Sequence, residues 1–294
     1  IYPDGNGQVN EKGLQFYDDL INECLKYNIV PMVTVYHWDL PQALEDQYHG
    51  WEDRRIVDDF VNYATTLFKR YGDRVKHWII LNEQNVFTGH GWMLAKHPPG
   101  KFKDMKTYYQ VNHHAFMAHA KSVLALKELY PDALVGSSFA YGPAYAVSDK
   151  PEDQMACVDY EDLKSYYWMD VYAYGRYPRS AMKYLESLGV APHFEEGDLE
   201  ILKASLLLSA DRTEEASAVA NRLLQSDPSN QDVLELSAEI AIASGNKQSQ
   251  TTIINQLLKA DPNNATANII QGNQQALKKK YKLALKNYQR ALIS

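Results

Sequence analysis

The stretch IVPMVTVYHWDLP at residues 29–41 decides the fold. Its first eight residues, Ile29 to Tyr36, are almost continuously apolar, as a parallel strand covered on both faces requires. The residues before it, Asn10 to Asn28, read as a helix, with Leu14, Tyr17, Ile21, Cys24 and Leu25 on one face at the i, i+3, i+4, i+7 spacing. A second helix is expected from about Asp53 to Tyr71, with Ile56, Phe60, Tyr63, Leu67 and Phe68 turned inward. A strand at Val75 to Leu81, a long helix ending near Tyr130 and a third strand at Ala133 to Ser138 follow. Strands alternating with long helices form βαβ units on a parallel sheet, so this part of the chain belongs to the α/β class.

In such a sheet chemistry collects where strands end and loops begin. The ends here are His37-Trp38-Asp39-Leu40-Pro41 and Asn82-Glu83-Gln84-Asn85. An aromatic face stacks on a sugar ring, amide and imidazole groups bond hydroxyls, and a carboxyl can protonate a leaving oxygen. Taken alone, Glu83 reads first as a solvated strand-end carboxylate, and His37 is also readable as a satisfied core histidine and Trp38 as a packing residue. Asp39 reads as a structural acceptor.

HWDLP at 37–41, Gly50-Trp51, WIILNE at 78–83 and HPPG at 97–100 resemble glycoside hydrolase family 1. IYPDGNG at 1–7 resembles the loop after that family's second strand, and the likeness runs to about residue 203. NEQN at 82–85 and YYWMDVYAYGRYP at 166–178 resemble its 6-phospho-β-glucosidase branch. The resemblance implies a partial (β/α)8 TIM barrel over residues 1–203, acting on β-glucosides or 6-phospho-β-glucosides by the retaining mechanism with no cofactor. It makes Glu83 the general acid/base, Asn82 the contact to the sugar 2-hydroxyl, His37 a contact to a neighbouring hydroxyl and Trp38 part of the subsite wall.

A retaining glycosidase needs a second carboxyl, as nucleophile, about 5–5.5 Å from the first. In the family it lies in an ITENG-like sequence on a late strand, and no such sequence occurs here; Glu195 and Glu196 stand in the loop-like FEEGD. Three of eight barrel strands are legible, and the family's first two and last three are absent. The segment is therefore expected to be truncated, inactive alone, and open along two strand edges.

Composition changes abruptly near residue 203. All five tryptophans, eight phenylalanines, nine histidines and seven methionines lie before it, and Leu, Ala, Asn, Gln and Lys dominate after it. LLQSDPSN at 223–230 recurs as LLKADPNN at 257–264, an offset of 34 residues. This segment, 204–294, resembles the all-α tetratricopeptide repeats, which implies a concave surface for a peptide or protein partner; a plain helical stack remains the alternative.

The net charge of −7 argues against nucleic acid or an anionic membrane as partner, and no apolar run approaches the ~18 residues of a membrane helix. Two cysteines, Cys24 and Cys157, give no disulfide framework, so a cytoplasmic setting is expected. His113, His114 and His119 share one helix but lack both i, i+4 pairing and a carboxylate, so no metal site is expected. The run Lys278-Lys279-Lys280 with Lys282 reads as a solvated helix face. The leading expectation is a β-glycosidase fragment joined to a repeat segment; an interaction module with an inert barrel piece, or a chimera without combined function, stays open.

Overall fold

The computed structural model of the chain describes residues 1–226, 231–243 and 245–293. Its contacts divide it into two units, residues 1–209 and 210–294.

The first unit is built on three parallel strands in the order β1-β2-β3: Met32–Tyr36, His77–Leu81 and Leu134–Gly136. Met32 pairs with His77 and Tyr36 with Leu81; His77 and Ile79 pair with Leu134 and Gly136 on the other side. β1 is shorter than the apolar run that encodes it. Helix α1 (Glu11–Lys26) ends through Asn28, whose φ of +59° turns the chain so that Ile29 N–H bonds Cys24 O at 2.9 Å. Pro31 then has no N–H for a ladder, so pairing starts at Met32. β2 likewise starts at His77 because Val75 N–H caps α3 (Arg55–Tyr71) through Tyr71 O.

Helix α2 (Gln42–Tyr48) follows β1, and α4 (Gln84–Thr88) and α5 (Met105–Leu129) follow β2. α3 buries Ile56, Phe60, Leu67 and Phe68, while Tyr63 donates its hydroxyl to Val35 O at 2.9 Å. Helices α6 (Pro151–Glu161), α7 (Tyr167–Tyr174), α8 (Arg179–Ser187) and α9 (Asp198–Ser209) complete the unit. The composition change near residue 203 falls inside α9, because that helix buries Ile201, Leu202, Leu207 and Leu208 within the first unit and packs on α5. Gly175, at the end of α7 with φ +61°, lies so near α9 that a Cβ would stand 2.7 Å from Lys203 Cα.

The outer edge of β1 is unpaired within the sheet. A groove of about 690 Å³ runs along it, lined by Tyr17, Leu20, Ile29, Val30 and Met32 and reaching His37 and Asp39. The apolar face of α1 therefore buries Leu14 and Ile21 but leaves Tyr17 and Leu25 exposed, and Met32 is 62% exposed. The expectation that β1 is covered on both faces holds only at its end: Met32 is exposed, Val33 and Thr34 are half-buried, and Val35 and Tyr36 are buried.

The histidines of α5 hold the unit together. His113 Nε2–H donates to Asp198 Oδ2 at 2.7 Å and its Nδ1 accepts from Tyr177. Arg54 grips the same carboxylate with bonds of 2.9 and 2.6 Å, so a guanidinium balances the charge of Asp198 and burial keeps the imidazole neutral. His114 bonds Trp51 O and Gln110; His119 accepts from Ser137. Among the described residues no group of three His, Cys, Asp or Glu is placed to hold a metal ion.

Burial lowers the pKa of His114 to about 4 and that of His119 to about 3. In the unfolded chain both titrate near 6.5, so below that pH the unfolded state binds more protons and stability falls as pH falls. Asp198 acts in the same direction at lower pH: burial raises its pKa, but the bonds from His113 and Arg54 outweigh it and hold the carboxyl well below the usual range. Urea unfolding followed through the tryptophans, all of which lie in this unit, should show the midpoint dropping steeply between pH 6.5 and pH 4, with His114 alone contributing roughly 3 kcal/mol. A midpoint that is flat or rises over that interval would contradict the burial of neutral imidazoles.

The second unit consists of α10 (Thr213–Ser226), α11 (Gln231–Ala243), α12 (Lys247–Ala260), α13 (Ala265–Leu277) and α14 (Tyr281–Ala291). α10, α12 and α14 begin 34 residues apart, as do α11 and α13. Ala238, Ala241, Ile254, Leu257, Ala267 and Ile270 form its core. Asn246 and Asn264 cap α12 and α13 by accepting N–H bonds from Ser249 and Ala267. Asp227, Pro228, Ser229 and Asn230 of the first repeat copy lie outside the described residues; in the second copy Asp261 ends α12. No helix among the described residues is long and apolar enough to cross a membrane.

Candidate active site

Parallel pairing in register brings the ends of the three strands to one rim. Asn82 N–H continues the ladder beyond β2 by donating to Tyr36 O at 3.0 Å. Glu83 N–H then donates to both the carbonyl and the hydroxyl of Ser138, each at 3.1 Å. His37 and Trp38 follow β1 directly, so the four residues singled out in the sequence, His37, Trp38, Asn82 and Glu83, are brought together.

Asn82 is the hub. Its carbonyl accepts from Trp38 Nε1–H at 2.8 Å, and its side-chain Oδ1 accepts from Ser138 Oγ–H at 2.9 Å. Its Nδ2 stands 3.1 Å from His37 Nε2. The amide donates, so Nε2 accepts and the neutral imidazole carries its proton on Nδ1. Nδ2 has two N–H groups, and one of them is left for a ligand hydroxyl. Asp39 takes the structural part expected of it, with Oδ1 accepting His37 N–H at 3.2 Å.

Two of these residues hold strained backbone. Trp38 has φ +75° and Glu83 φ +44°, in the left-handed region that non-glycine residues enter at about 1–3 kcal/mol. At both strand ends this turn ends the extended chain instead of continuing the strand. Glu83 is half-buried, and its carboxylate makes no hydrogen bond to another described residue. The next residue is anchored firmly: Gln84 is buried, donates to Asn112 Oδ1 at 3.0 Å and accepts from Tyr172 at 2.5 Å. Asn85 makes reciprocal bonds with the backbone of Ala140.

Two residues of the rim escaped the sequence reading. Ser138 fixes both Asn82 and Glu83, and its signal was its place at the end of the third expected strand. His97 packs its ring 5.3 Å from Trp38 and 4.6 Å from His90. Its signal is the HPPG sequence at 97–100. Burial lowers the pKa of His90, leaving that imidazole neutral near pH 7.

The model of Glycosyl hydrolase family 1 matches residues 1–288. The chain belongs to glycosyl hydrolase family 1. Among curated members of the family, an aryl-phospho-β-D-glucosidase of Bacillus subtilis, BglC, is 49% identical over 202 residues, covering 69% of this chain and 42% of that protein. β-Glucosidase A of Acetivibrio thermocellus is 35% identical over 231 residues, covering 79% and 50%. Of the solved family 1 structures, the rice Os3BGlu6 β-glucosidase superposes with a TM-score of 0.66 at 35% identity, covering 70% of this chain and 46% of that one. The chain thus spans about half or less of the length of these relatives. The family match extends past residue 203, where the motif likeness ends.

Proposed function

We propose that the first unit carries the acid/base half of a retaining β-glycosidase site, with Glu83 as general acid/base. The observation that supports this reading is the convergence of Glu83, Asn82, His37 and Trp38 on one rim, with the Glu83 carboxyl unengaged. Glu83 protonates the glycosidic oxygen as it leaves and then takes a proton from the attacking water. Asn82 offers its remaining N–H to the sugar 2-hydroxyl, His37 bonds a neighbouring hydroxyl and the half-buried Trp38 forms the wall. The substrates are β-glucosides, with 6-phosphorylated aryl β-glucosides favoured by the NEQN sequence and by the higher identity to the aryl-phospho-β-glucosidase. The two free cysteines fit a cytoplasmic setting.

No second carboxyl in residues 1–294 stands in the sequence context of the family's nucleophile, so this polypeptide alone binds without turnover. Tryptophan fluorescence tests the binding. Trp51, Trp78, Trp92 and Trp168 are buried, so a ligand at the rim reports through Trp38. Titration with an aryl 6-phospho-β-glucoside is expected to quench saturably, and Trp38→Phe and Asn82→Ala should remove the response. A response unchanged in both variants, or none at millimolar ligand, would place the sugar elsewhere.

For residues 204–294 the reading is a tetratricopeptide-like segment that takes a peptide partner, as the second domain after 1–203. The 34-residue spacing of helix starts supports it. So does a groove of about 400 Å³ lined by Ser217, Asn221, Ser237, Ser249, Thr252 and Gln256, uncharged groups suited to a peptide main chain.

A further inference from the structure

Asn112 lies on α5 in the run from Val111 to Ala118, which is buried throughout. Its own side chain is fully buried and is used at both ends. Nδ2–H donates to Tyr108 O, one turn back, at 2.9 Å, which commits Oδ1 as the acceptor. Three donors converge on that oxygen. Trp168 Nε1–H of α7 reaches it at 2.7 Å and Gln84 Nε2–H of α4 at 3.0 Å. Thr88 Oγ–H of α4 lies 3.1 Å from it and shares its hydrogen with Gln84 O at 2.7 Å. All three donor residues are buried. An amide oxygen has two lone pairs, so this one is used to capacity, and a buried donor deprived of it is costly.

What this oxygen holds is the turn on which Glu83 stands. Glu83 is the residue before α4, and its backbone is left-handed at φ +44°. Such a conformation persists only where the surroundings over-determine it. Before the turn, the Glu83 N–H is held by Ser138. After it, half-buried Asn85 ties the chain to Ala140, and buried Gln84 ties it to the interior. Gln84 spends its whole amide there: Nε2 also meets Asn112 O at 3.0 Å, and Oε1 accepts from Tyr172. Trp168 and Tyr172 both belong to α7, so the Gln84–Asn112 pair joins α4, α5 and α7. The next residue of α5, His113, bonds the Asp198 carboxylate that Arg54 also grips, so Asn112 stands on a helix that is itself fixed.

We propose that Asn112 is a positioning residue for Glu83. Acting through Gln84, it holds the acid/base backbone in its turned conformation and so sets where the carboxyl can stand relative to a glycosidic oxygen. Misplacing a reacting group by 1 Å costs about 10²-fold in rate, so a support of this kind matters without touching substrate. The proposal rests on the acid/base reading of Glu83 and adds to it the group that maintains its geometry.

The test uses the whole 294-residue chain and two probes read through Trp38 fluorescence. One is phenyl β-glucoside; the other is glucoimidazole, whose ring nitrogen stands where the glycosidic oxygen would be. A well-placed carboxyl bonds that nitrogen, so the parent should bind glucoimidazole about tenfold or more tighter, and Glu83→Gln should remove the preference. Asn112→Leu keeps the main-chain carbonyl but removes Oδ1. It should lose most of the preference while its affinity for phenyl β-glucoside stays within about twofold, whereas general damage to the fold would weaken both ligands together. Gln84→Met should behave alike, and the double variant should lose no more than either single one, because the two amides act as a unit. Hydrogen exchange follows the turn without any ligand: the Glu83 amide should exchange about tenfold faster in both variants while the β2 amides stay slow. If Asn112→Leu loses the β2 protection as well, it has unfolded, and Gln84→Met, which leaves Oδ1 to Thr88 and Trp168, decides. A preference that Glu83→Gln abolishes but the folded Asn112→Leu and Gln84→Met chains keep overturns the proposal and leaves the acid/base reading standing. Single losses that multiply in the double variant also overturn it. A parent without the preference, or a preference that Glu83→Gln retains, overturns the acid/base reading, and the positioning role falls with it.

Discussion

Incubated alone, the 294-residue chain is expected to hydrolyse 4-nitrophenyl β-glucoside and its 6-phosphate no faster than its own Glu83→Gln variant. Glycosidases reach their rates by dividing the reaction between two carboxyls, one to form and break the glycosyl bond and one to move protons. In the proposed reading the rim supplies the proton-moving group and the hydroxyl contacts. A Glu83 carboxyl without a nucleophile about 5–5.5 Å away stabilises a departing oxygen but gives the oxocarbenium centre nothing to bond. The difference from a working enzyme is large, since enzymes exceed the uncatalysed rate by at least about 10⁶-fold. A continuous assay at high enzyme concentration settles it. Turnover that Glu83→Gln abolishes and azide restores would show that a nucleophile is present, and would sink the claim that half a site stands here.

Much of this site was legible because its residues follow from two local rules. A continuous apolar run ending in HWDLP marks a parallel strand and its loop, and WIILNE marks the next. Parallel neighbours put both ends at one rim whatever the rest of the chain does. The strain at Trp38 and Glu83, and the grip of Ser138 on both sides of Asn82, were not legible, because they depend on register between strands more than forty residues apart. The α5 histidines show the same limit. Their shared helix could be read from spacing, but the partner of His113 is Asp198, 85 residues away.

The helix face of α1 failed for a different reason. Leu14, Tyr17, Ile21, Cys24 and Leu25 do form one apolar stripe, and a stripe reports what a helix could bury, not whether a neighbour is there. With the β1 edge open, Tyr17 lines a groove, Leu25 is exposed, and Leu14 and Ile21 are the buried members of the stripe. In the second unit the 34-residue offset of LLQSDPSN and LLKADPNN was legible in the sequence, and α12 and α14 start the same distance apart.

The most direct test of the central claim, that Glu83 is a general acid/base, puts these residues where a nucleophile exists. The 202-residue matched stretch of this chain would replace its counterpart in the Bacillus subtilis aryl-phospho-β-glucosidase, whose 49% identity favours a correct fit. The chimera should hydrolyse an aryl 6-phospho-β-glucoside, and Glu83→Gln should lower kcat/KM for a poor leaving group by about 10²–10⁴-fold, the usual contribution of a positioned proton donor. Added azide should raise turnover of an activated aryl substrate in the Glu83→Gln chimera, because a small anion needs no general base to attack the glycosyl intermediate. A Glu83→Gln chimera as active as its parent on the poor leaving group would contradict the account.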